Sequence, residues 1–273
     1  MEKAADYRSL SRLVMAHIKP GVITNNFMEK RDYLSEIERG TLYYETWKGG
    51  LLLLRRRRGF SRLNYYLTGP DVLPELPERE TLVTEHVFRP GDDGKEIYDF
   101  LNRLGFEALF QRARFVREED GGKVPEYDGG KVKNGGSGAE TASAEDAEDI
   151  YELLVSCFSP ETGCLPERDE LPALAEEGRI ICARDESGGI AGILHFKSAK
   201  KTWEIRHLAV SEEMRGLGIA GGMAEMCFRL NVGKTGLVWA RKDYAPAVGF
   251  YRNTGYRPDG WTSAVMRRSG TER

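Results

Sequence analysis

The chain has 273 residues, of which 40% are hydrophobic and 30% charged, and its formal net charge is −3. This length exceeds one ordinary domain and predicts two domains of modest size, each with its own core. The small net charge gives no electrostatic reason to expect nucleic acid or an anionic membrane as a partner.

Two further properties concern the cellular compartment. The longest apolar run, residues 51–54, is far too short to span a bilayer, and no apolar segment follows a basic N-terminus. The four cysteines form neither a CxxC pair nor a close Cys/His pattern, so we predict no metal site and expect buried free thiols. We therefore expect a cytoplasmic protein without a membrane partner.

The first half of the chain alternates helical and extended patterns. Leu10, Leu13, Val14, His17 and Ile18 recur at helical spacing and predict a first helix. A second helix is predicted over residues 27–37, and a third over 94–104. Strands are predicted over residues 42–47, 51–57, 62–67, 81–88 and 113–117.

A glycine-rich and charged stretch, residues 118–140, separates the two halves. Its apolar periodicity disappears, which is typical of a linker. We therefore predict domains at residues 1–120 and 139–273, with a linker at 121–138.

The second half repeats the order of the first. Ser143, with Asp146 three residues later, predicts a capped helix, and a short helix follows over 170–177. Strands are predicted over residues 179–184, 190–198 and 202–210, and then a helix over 218–230. A strand over 236–242, a helix over 245–254 and two final strands, near Tyr256 and over 262–267, complete this half. The repeated order predicts an internal duplication.

The chemistry is concentrated after the strand that ends in Leu208, Ala209 and Val210. The next residues, 215–222, read Arg-Gly-Leu-Gly-Ile-Ala-Gly-Gly and open a helix. Glycines permit positive φ and close backbone approach, while the first helical N–H groups lack partners and attract anions. This turn therefore predicts a pyrophosphate site. A Rossmann domain is disfavoured, because the turn follows a late strand and no acidic residue closes a strand about twenty residues on.

The motif Arg-x-x-Gly-x-Ala at Arg215, Gly218 and Ala220 resembles motif A of the GNAT acyltransferase superfamily. A second motif of that family, Ala-x-x-x-Tyr-x-x-x-Gly-(Phe/Tyr), is matched by Ala247, Tyr251, Gly255 and Tyr256. The resemblance covers roughly residues 138–268. It implies an α+β fold with two GNAT-like domains, each a mixed, mostly antiparallel twisted sheet flanked by helices.

The resemblance also implies acetyl-CoA as cosubstrate and direct attack by a primary amine of a small molecule or peptide. It assigns proton donation to the leaving thiolate to Tyr251 and gives Glu204 the role of general base, with an ordered water as the alternative. The coenzyme would be bound by Leu208, Ala209, Val210, Arg215, Gly216, Leu217, Gly218, Ile219, Ala220, Gly221 and Tyr244. Tyr244 stands where the family often has an asparagine.

The orientation of side chains around Glu204 follows from strand alternation. Without a bulge, Glu204, Arg206 and Leu208 share one face and His207 lies on the other. The family carries a bulge in this strand, so the two orientations of His207 stay open. We expect His207 to be packed or hydrogen-bonded in the core, with a role in proton relay as the alternative. The acidic loop at residues 159–171 would shape the acceptor site.

The first half lacks the glycine turn and the following helix that would bind a coenzyme. After residue 67 there is no glycine turn and no predicted helix, and prolines at 70 and 74 remove N–H donors. It therefore resembles a degenerate repeat that does not bind the coenzyme. Its basic cluster, residues 55–58, is either a strand end projecting past the core or a contact for an acidic acceptor or RNA.

Two other functions are compatible with the sequence. One is a non-catalytic module that senses acetyl-CoA or binds a partner. The other is aminoacyl or peptidyl transfer, since transferases of that type also pair two such domains. The second is ranked last because those relatives lack a good pyrophosphate turn.

Overall fold

The computed structural model describes residues 1–118 and 138–271. The predicted linker lies outside the described residues apart from residue 138. Two compact units are formed: the first contains Met1–Arg112 with Gly260–Arg273, and the second contains Ala113–Asp259. Residues 260–273, which the sequence assigns to the second domain, thus contribute to the first unit.

The first unit contains three helices: α1 (Tyr7–His17), α2 (Lys30–Glu38) and α3 (Lys95–Arg103). Its strands are β1 (Glu2–Lys3), β2 (Ile23–Thr24), β3 (Leu42–Trp47), β4 (Gly50–Arg56), β5 (Ser61–Leu67) and β6 (Leu82–Phe88). Strand β7 (Glu107–Arg117) begins here and ends in the second unit. It is longer than the predicted 113–117.

The sheet of the first unit is covered on both faces. Its order is β1-β3-β4-β5-β6, with the end of the last strand of the chain beside β6, and only β5 and β6 are parallel. Leu52 and Leu54 pack in a core with helix α3, whereas Leu51 and Leu53 pack in a core with α1 and α2. Alternate residues of a strand point to opposite faces, so the continuous apolar run of β4 is explained by these two cores.

The second unit contains the remaining elements. Its helices are α4 (Ala147–Cys157), α5 (Pro160–Gly163), α6 (Leu171–Glu176), α7 (Ile219–Leu230) and α8 (Ala245–Asn253). Its strands are β8 (Glu140–Thr141), β9 (Ile180–Arg184), β10 (Ile190–Ser198), β11 (Thr202–Val210) and β12 (Thr235–Arg241). The last strand, β13 (Arg257–Arg268), begins in this unit and ends in the first.

Strand β13 differs from the sequence prediction, which divided this region into two strands. It is continuous, although Gly260 has a φ of +88°. Thr262–Arg268 pairs with Phe88–Leu82 of β6 in antiparallel register, and this ladder assigns the end of the chain to the first unit.

The sheet of the second unit has the order β7-β12-β11-β10-β9-β8, in which β11 and β12 are parallel. Helices α4 and α6 cover one face in a core with Ile193 and Ala209. Helices α7 and α8 cover the other face in a core with Trp203 and Ile205. We call these the α4 face and the α7 face.

The predicted fold class is confirmed: each unit is a mixed, mostly antiparallel sheet flanked by helices. The capping box at Ser143 and Asp146 is also confirmed, because the Ser143 N–H donates to the Asp146 carboxylate at 2.8 Å. Helix α7 has no counterpart between β5 and β6, where residues 68–81 form no helix. Within the described residues, no helix has the length and apolar character needed to cross a membrane.

Candidate active site

The glycine turn of the second unit shapes the N-terminus of helix α7. Gly216 and Gly218 have φ values of +80° and +85°, in the left-handed region that disfavours other residues. Gly218 is the N-cap of α7 and carries no capping side chain, so the N–H groups of the first turn are left for a ligand. A Cβ built at Gly216 would meet nothing within 4 Å. The turn therefore suits an anion, as the sequence predicts.

Arg215 precedes this turn and links it to the end of β11. Its Nε donates to the carbonyl oxygen of Val210 at 3.1 Å, and the residue is exposed. Because Val210 is the last residue of β11, this bond holds the charged side chain at the strand end. Arg215 thus places a positive charge near the N-terminus of α7.

Strands β11 and β12 form a gap at their carboxyl ends. Their parallel pairing runs from Thr202 with Thr235 to Ile205 with Val238. Strand β11 continues to Val210 and β12 to Arg241, but these residues are not paired with each other. The backbone of Leu208–Val210 on this side is therefore available to a ligand, because the other side of β11 pairs with β10.

A bulge in β11 reverses which side chains share a face. The register with β10 shifts between His195 and Phe196, which pair with His207 and Ile205, so Arg206 is the extra residue. Trp203 and Ile205 lie on the α7 face, and after the bulge Leu208 returns to that same face. The alternation expected without a bulge, which places Glu204 beside Leu208, therefore does not apply here. Glu204 shares the α4 face with His207 and Ala209.

Glu204 is partly exposed and paired with its neighbour in the bulge. Its Oε1 accepts from Nη1 of Arg206 at 2.8 Å, and the two side chains are 24% and 38% exposed. Ion pairs with this much solvent contact contribute only about 0–1 kcal/mol. The carboxylate can consequently exchange Arg206 for another partner at little cost.

Tyr251 lies on the α7 face, on helix α8. It is 6% exposed and packs against Phe115, Phe250 and Tyr256. Burial raises the pKa of the phenol above its ordinary value, so the group carries its proton at neutral pH. The hydroxyl donates to none of the groups that the structure describes. A protonated phenol without a partner can donate to a ligand.

Tyr244 is the N-cap residue of α8 and makes no capping hydrogen bond with its side chain. It is 50% exposed. The structure therefore places this predicted coenzyme contact at a second helix N-terminus of the same unit.

His207 is buried and hydrogen-bonded, as expected, but its partners were not predicted. Its Nδ1 lies 3.1 Å from Nδ1 of His195, and its Nε2 lies 2.9 Å from the carbonyl oxygen of Gly163. Sequence reasoning missed His195 because a regular hairpin register would place it opposite Arg206. Only the bulge brings the two histidines together.

The first unit has a similar divergence between its parallel strands, but its own chain fills it. Strands β5 and β6 pair only at Ser61–Arg62 with Leu82–Val83. Beyond this pairing, the Asn25 side chain donates to the carbonyl oxygens of Leu63 at 3.2 Å and Glu85 at 3.1 Å. It also accepts from the Tyr65 N–H at 2.8 Å. The Asn25 side chain thus forms hydrogen bonds with the backbone of both β5 and β6 where the two strands no longer pair with each other.

The basic cluster of the first unit is paired with carboxylates. Arg57 binds the buried Glu36 through both terminal nitrogens, and Arg56 lies 2.9 Å from Glu80. Burial alone would raise the pKa of Glu36, but hydrogen bonding and the charge of Arg57 outweigh it and lower the pKa. These pairs neutralise much of the cluster, which favours the interpretation as a strand end.

Comparison with known families gives a match within the second unit. Residues 147–256 match the model of the acetyltransferase (GNAT) family. Comparison with curated proteins gave no match.

Solved structures resemble the chain over most of its length. A GCN5-related N-acetyltransferase from Sphaerobacter thermophilus is 16% identical, with 97% of this chain and 94% of that chain covered and a TM-score of 0.55. One from Kribbella flavida is 19% identical, with coverages of 88% and 93% and a TM-score of 0.54. A tandem GNAT protein of the clavulanic acid biosynthesis pathway is 16% identical, with 85% of each chain covered and a TM-score of 0.56. At such identities the likeness concerns the fold.

Proposed function

Because residues 147–256 match the model of the acetyltransferase (GNAT) family, we propose that this chain is a cytoplasmic N-acetyltransferase. It transfers the acetyl group of acetyl-CoA to a primary amine of a small molecule or peptide, by direct attack in a ternary complex. The observation that carries this proposal is the open N-terminus of α7 beside the gap between β11 and β12.

The coenzyme is bound from the α7 face. The N–H groups at Ile219, Ala220 and Gly221 hold the pyrophosphate, because the helix dipole and the unbonded donors favour an anion there. Arg215 adds a positive charge, and the turn residues Gly216, Leu217 and Gly218 approach the phosphates closely. The outward backbone of Leu208, Ala209 and Val210 binds the amide-bearing arm and the thioester carbonyl. Tyr244 contacts the coenzyme from the start of α8.

The proposed acid and base lie on opposite faces of the sheet, and Glu204 belongs to the paired part of β11 just before the gap, which fits direct transfer. Glu204 on the α4 face, or a water it orders, accepts the proton of the attacking amine, whose pKa of about 10.4 keeps it protonated in water. The C–N bond forms as the C–S bond breaks. Tyr251 on the α7 face donates its proton to the leaving thiolate, whose conjugate acid has a pKa near 8.5.

The first unit is proposed to bind no coenzyme. Asn25 already occupies the space between β5 and β6, and no helix follows β5 to present N–H groups. The carboxylates that pair with Arg56 and Arg57 also weaken the argument for an RNA partner. Aminoacyl transfer from charged tRNA is therefore the less supported function.

The test combines calorimetric titration of acetyl-CoA with a thiol-release screen across amine classes. We expect one coenzyme bound per chain and thiol release that depends on at least one amine. Release without any amine serves as the control for hydrolysis. Coenzyme binding without transfer to any amine would replace the proposal by a sensing module, and an absence of coenzyme binding would refute the pyrophosphate site.

A further inference from the structure

A tryptophan lies on the α4 face of the second unit, beside the gap between β11 and β12. In β12, Val238 and Ala240 pack in the core on the α7 face, so Leu237 and Trp239 point to the α4 face. Leu237 is the partner of Glu204 in the parallel ladder, and Trp239 follows Val238, the last paired residue of β12. Trp239 is therefore at the start of the gap, on the face that carries the proposed base.

Trp239 lies outside the two cores of its own unit. The core that contains α4 and α6 includes residues of β9, β10 and β11, but among the described residues it includes none of β12. The core on the α7 face contains neither Leu237 nor Trp239. Both side chains are half-buried. A half-buried indole outside these cores can present part of its ring to a ligand.

An ion pair on the neighbouring strands holds the indole in place. The guanidinium of Arg114, in β7 next to β12, lies over the Trp239 ring at 5.8 Å from its centroid. Nε and Nη2 of Arg114 lie 2.8 and 2.7 Å from Oδ2 of Asp259, in β13. Asp259 therefore fixes Arg114, and Arg114 supports the indole. A surface that is ordered before the ligand arrives binds at a lower entropic cost.

The rest of the indole is available to a ligand. Among the described residues, Arg114 is the one ring or hydrogen-bonding partner of Trp239. The indole N–H donates to none of them, although a buried tryptophan usually has such a partner. Tryptophan presents a large rigid surface on which a second ring can stack. Because a cation already lies against this indole, the remaining surface suits a neutral aromatic ring better than a second cation.

We propose that Trp239 forms an aromatic subsite of the acceptor site and that the acceptor is an arylalkylamine, an amine joined by a short carbon chain to an aromatic ring. The amine reaches Glu204 and the gap while the ring stacks on the indole. Trp239 is about 7 Å along β12 from the partner of Glu204, a distance that a few carbon atoms span. This substrate class rests on the proposed function, and Trp239 contacts the acceptor away from the reacting atoms.

The test compares 2-phenylethylamine with 2-cyclohexylethylamine, whose rings have the same number of carbon atoms and differ in aromaticity. The readout is the ratio of the two kcat/KM values, and its change among variants cancels the intrinsic reactivity of the amines. We expect wild type to favour the phenyl compound about threefold to tenfold, the gain of ring stacking beyond area burial. The difference should lie in KM, because Trp239 binds the acceptor equally before and during the reaction.

Three variants separate stacking from packing. Trp239→Leu should bring the ratio to about one, whereas Trp239→Phe keeps an aromatic ring and should keep the ratio above about two. Trp47→Leu is the matched control, because Trp47 is a half-buried tryptophan at the end of a strand of the first unit, and it should retain the wild-type ratio. A merely structural role of Trp239 would slow both amines equally. A wild-type ratio in Trp239→Leu would overturn the inference.

A binding measurement without acyl transfer separates this inference from the proposed function. The chain has four tryptophans, so ¹⁹F NMR of the protein labelled with 5-fluorotryptophan identifies Trp239 as the resonance that is lost in Trp239→Phe. In the presence of coenzyme A, 2-phenylethylamine should shift this resonance further than 2-cyclohexylethylamine does. If the shift occurs but no amine is acetylated, the proposed function fails while the aromatic subsite stands. If amines are acetylated but this resonance does not respond, the subsite is refuted while the proposed function stands.

Discussion

Replacement of Tyr251 by phenylalanine should preserve or raise the free energy of unfolding while it lowers turnover. The ring stays in the core against Phe115, Phe250 and Tyr256, so apolar burial is retained. The hydroxyl that is removed has no hydrogen bond to the described residues, so its removal breaks none of their hydrogen bonds. We therefore expect the free energy of unfolding to stay constant or rise by about 1 kcal/mol. Turnover should fall by about 10²–10⁴-fold, as is typical when a general acid is lost.

Tyr256 provides a matched control in the same core. Its ring centroid lies 5.7 Å from that of Tyr251, and its hydroxyl is buried without a hydrogen-bond partner among the described residues. Tyr256→Phe removes the same group from the same aromatic cluster. It should leave turnover unchanged and have the same small effect on unfolding.

The assay is single-turnover thiol release with saturating acetyl-CoA, which reports the chemical step rather than product release. Urea unfolding and calorimetric titration of the coenzyme accompany it, and coenzyme affinity should change less than threefold. Turnover of Tyr251→Phe within twofold of wild type would remove this residue from the mechanism. Equal losses in both variants would assign the effect to packing.

Three other predictions concern binding, stability and pH. Gly218→Ala should weaken coenzyme binding about tenfold in calorimetry, because a Cβ at φ +85° costs about 1–2 kcal/mol. Gly222→Ala is the control, since its Cβ would meet nothing within 4 Å and the affinity should not change. Equal affinities of the two variants would exclude the turn from the site. Asn25→Ala should lower the free energy of unfolding of the first unit in urea by about 2–4 kcal/mol, because three or more buried hydrogen bonds are lost. A loss below about 0.5 kcal/mol would mean that water replaces the amide and that these bonds contribute little. Burial lowers the pKa of His86 from 6.5 to about 4, so the neutral imidazole contributes its full stabilisation above pH 6.5. The free energy of unfolding then falls by about 3 kcal/mol as the pH drops to 4. His86→Leu should flatten this part of the plot of unfolding free energy against pH, measured in urea, and an unaltered slope would contradict the assignment.

Features that depend on local chemistry could be predicted from the sequence. Gly216 and Gly218 adopt the positive φ values that only glycine accepts readily, and α7 begins directly after them. The capping box at Ser143 and Asp146 forms within one turn. These features arise from neighbouring residues, so the motif predicts them without knowledge of the fold.

Simple strand alternation does not predict the side-chain orientations of β11, because its pairing with β10 introduces a bulge. The residue that bulges in β11 is determined by its pairing with β10, and that pairing moves Leu208 to the face opposite Glu204. The predicted pair of final strands is one strand, Arg257–Arg268, which continues through Gly260 in spite of its positive φ. A pattern of period two cannot contain this information, since an extra residue reverses every side chain after it.

The sequence by itself determined that this chain has two α+β units, that the second carries a motif similar to motif A of the GNAT superfamily, and that the first lacks the corresponding glycine turn. Glycine geometry, apolar periodicity and helix capping are properties of short segments and can therefore be predicted from the sequence. The tertiary structure alone decided which face Glu204 occupies, that Asn25 fills the gap in the first unit, and that Gly163, His195 and His207 meet. Each of these contacts joins segments distant in sequence, and such contacts depend on strand register and helix packing, which no local pattern specifies.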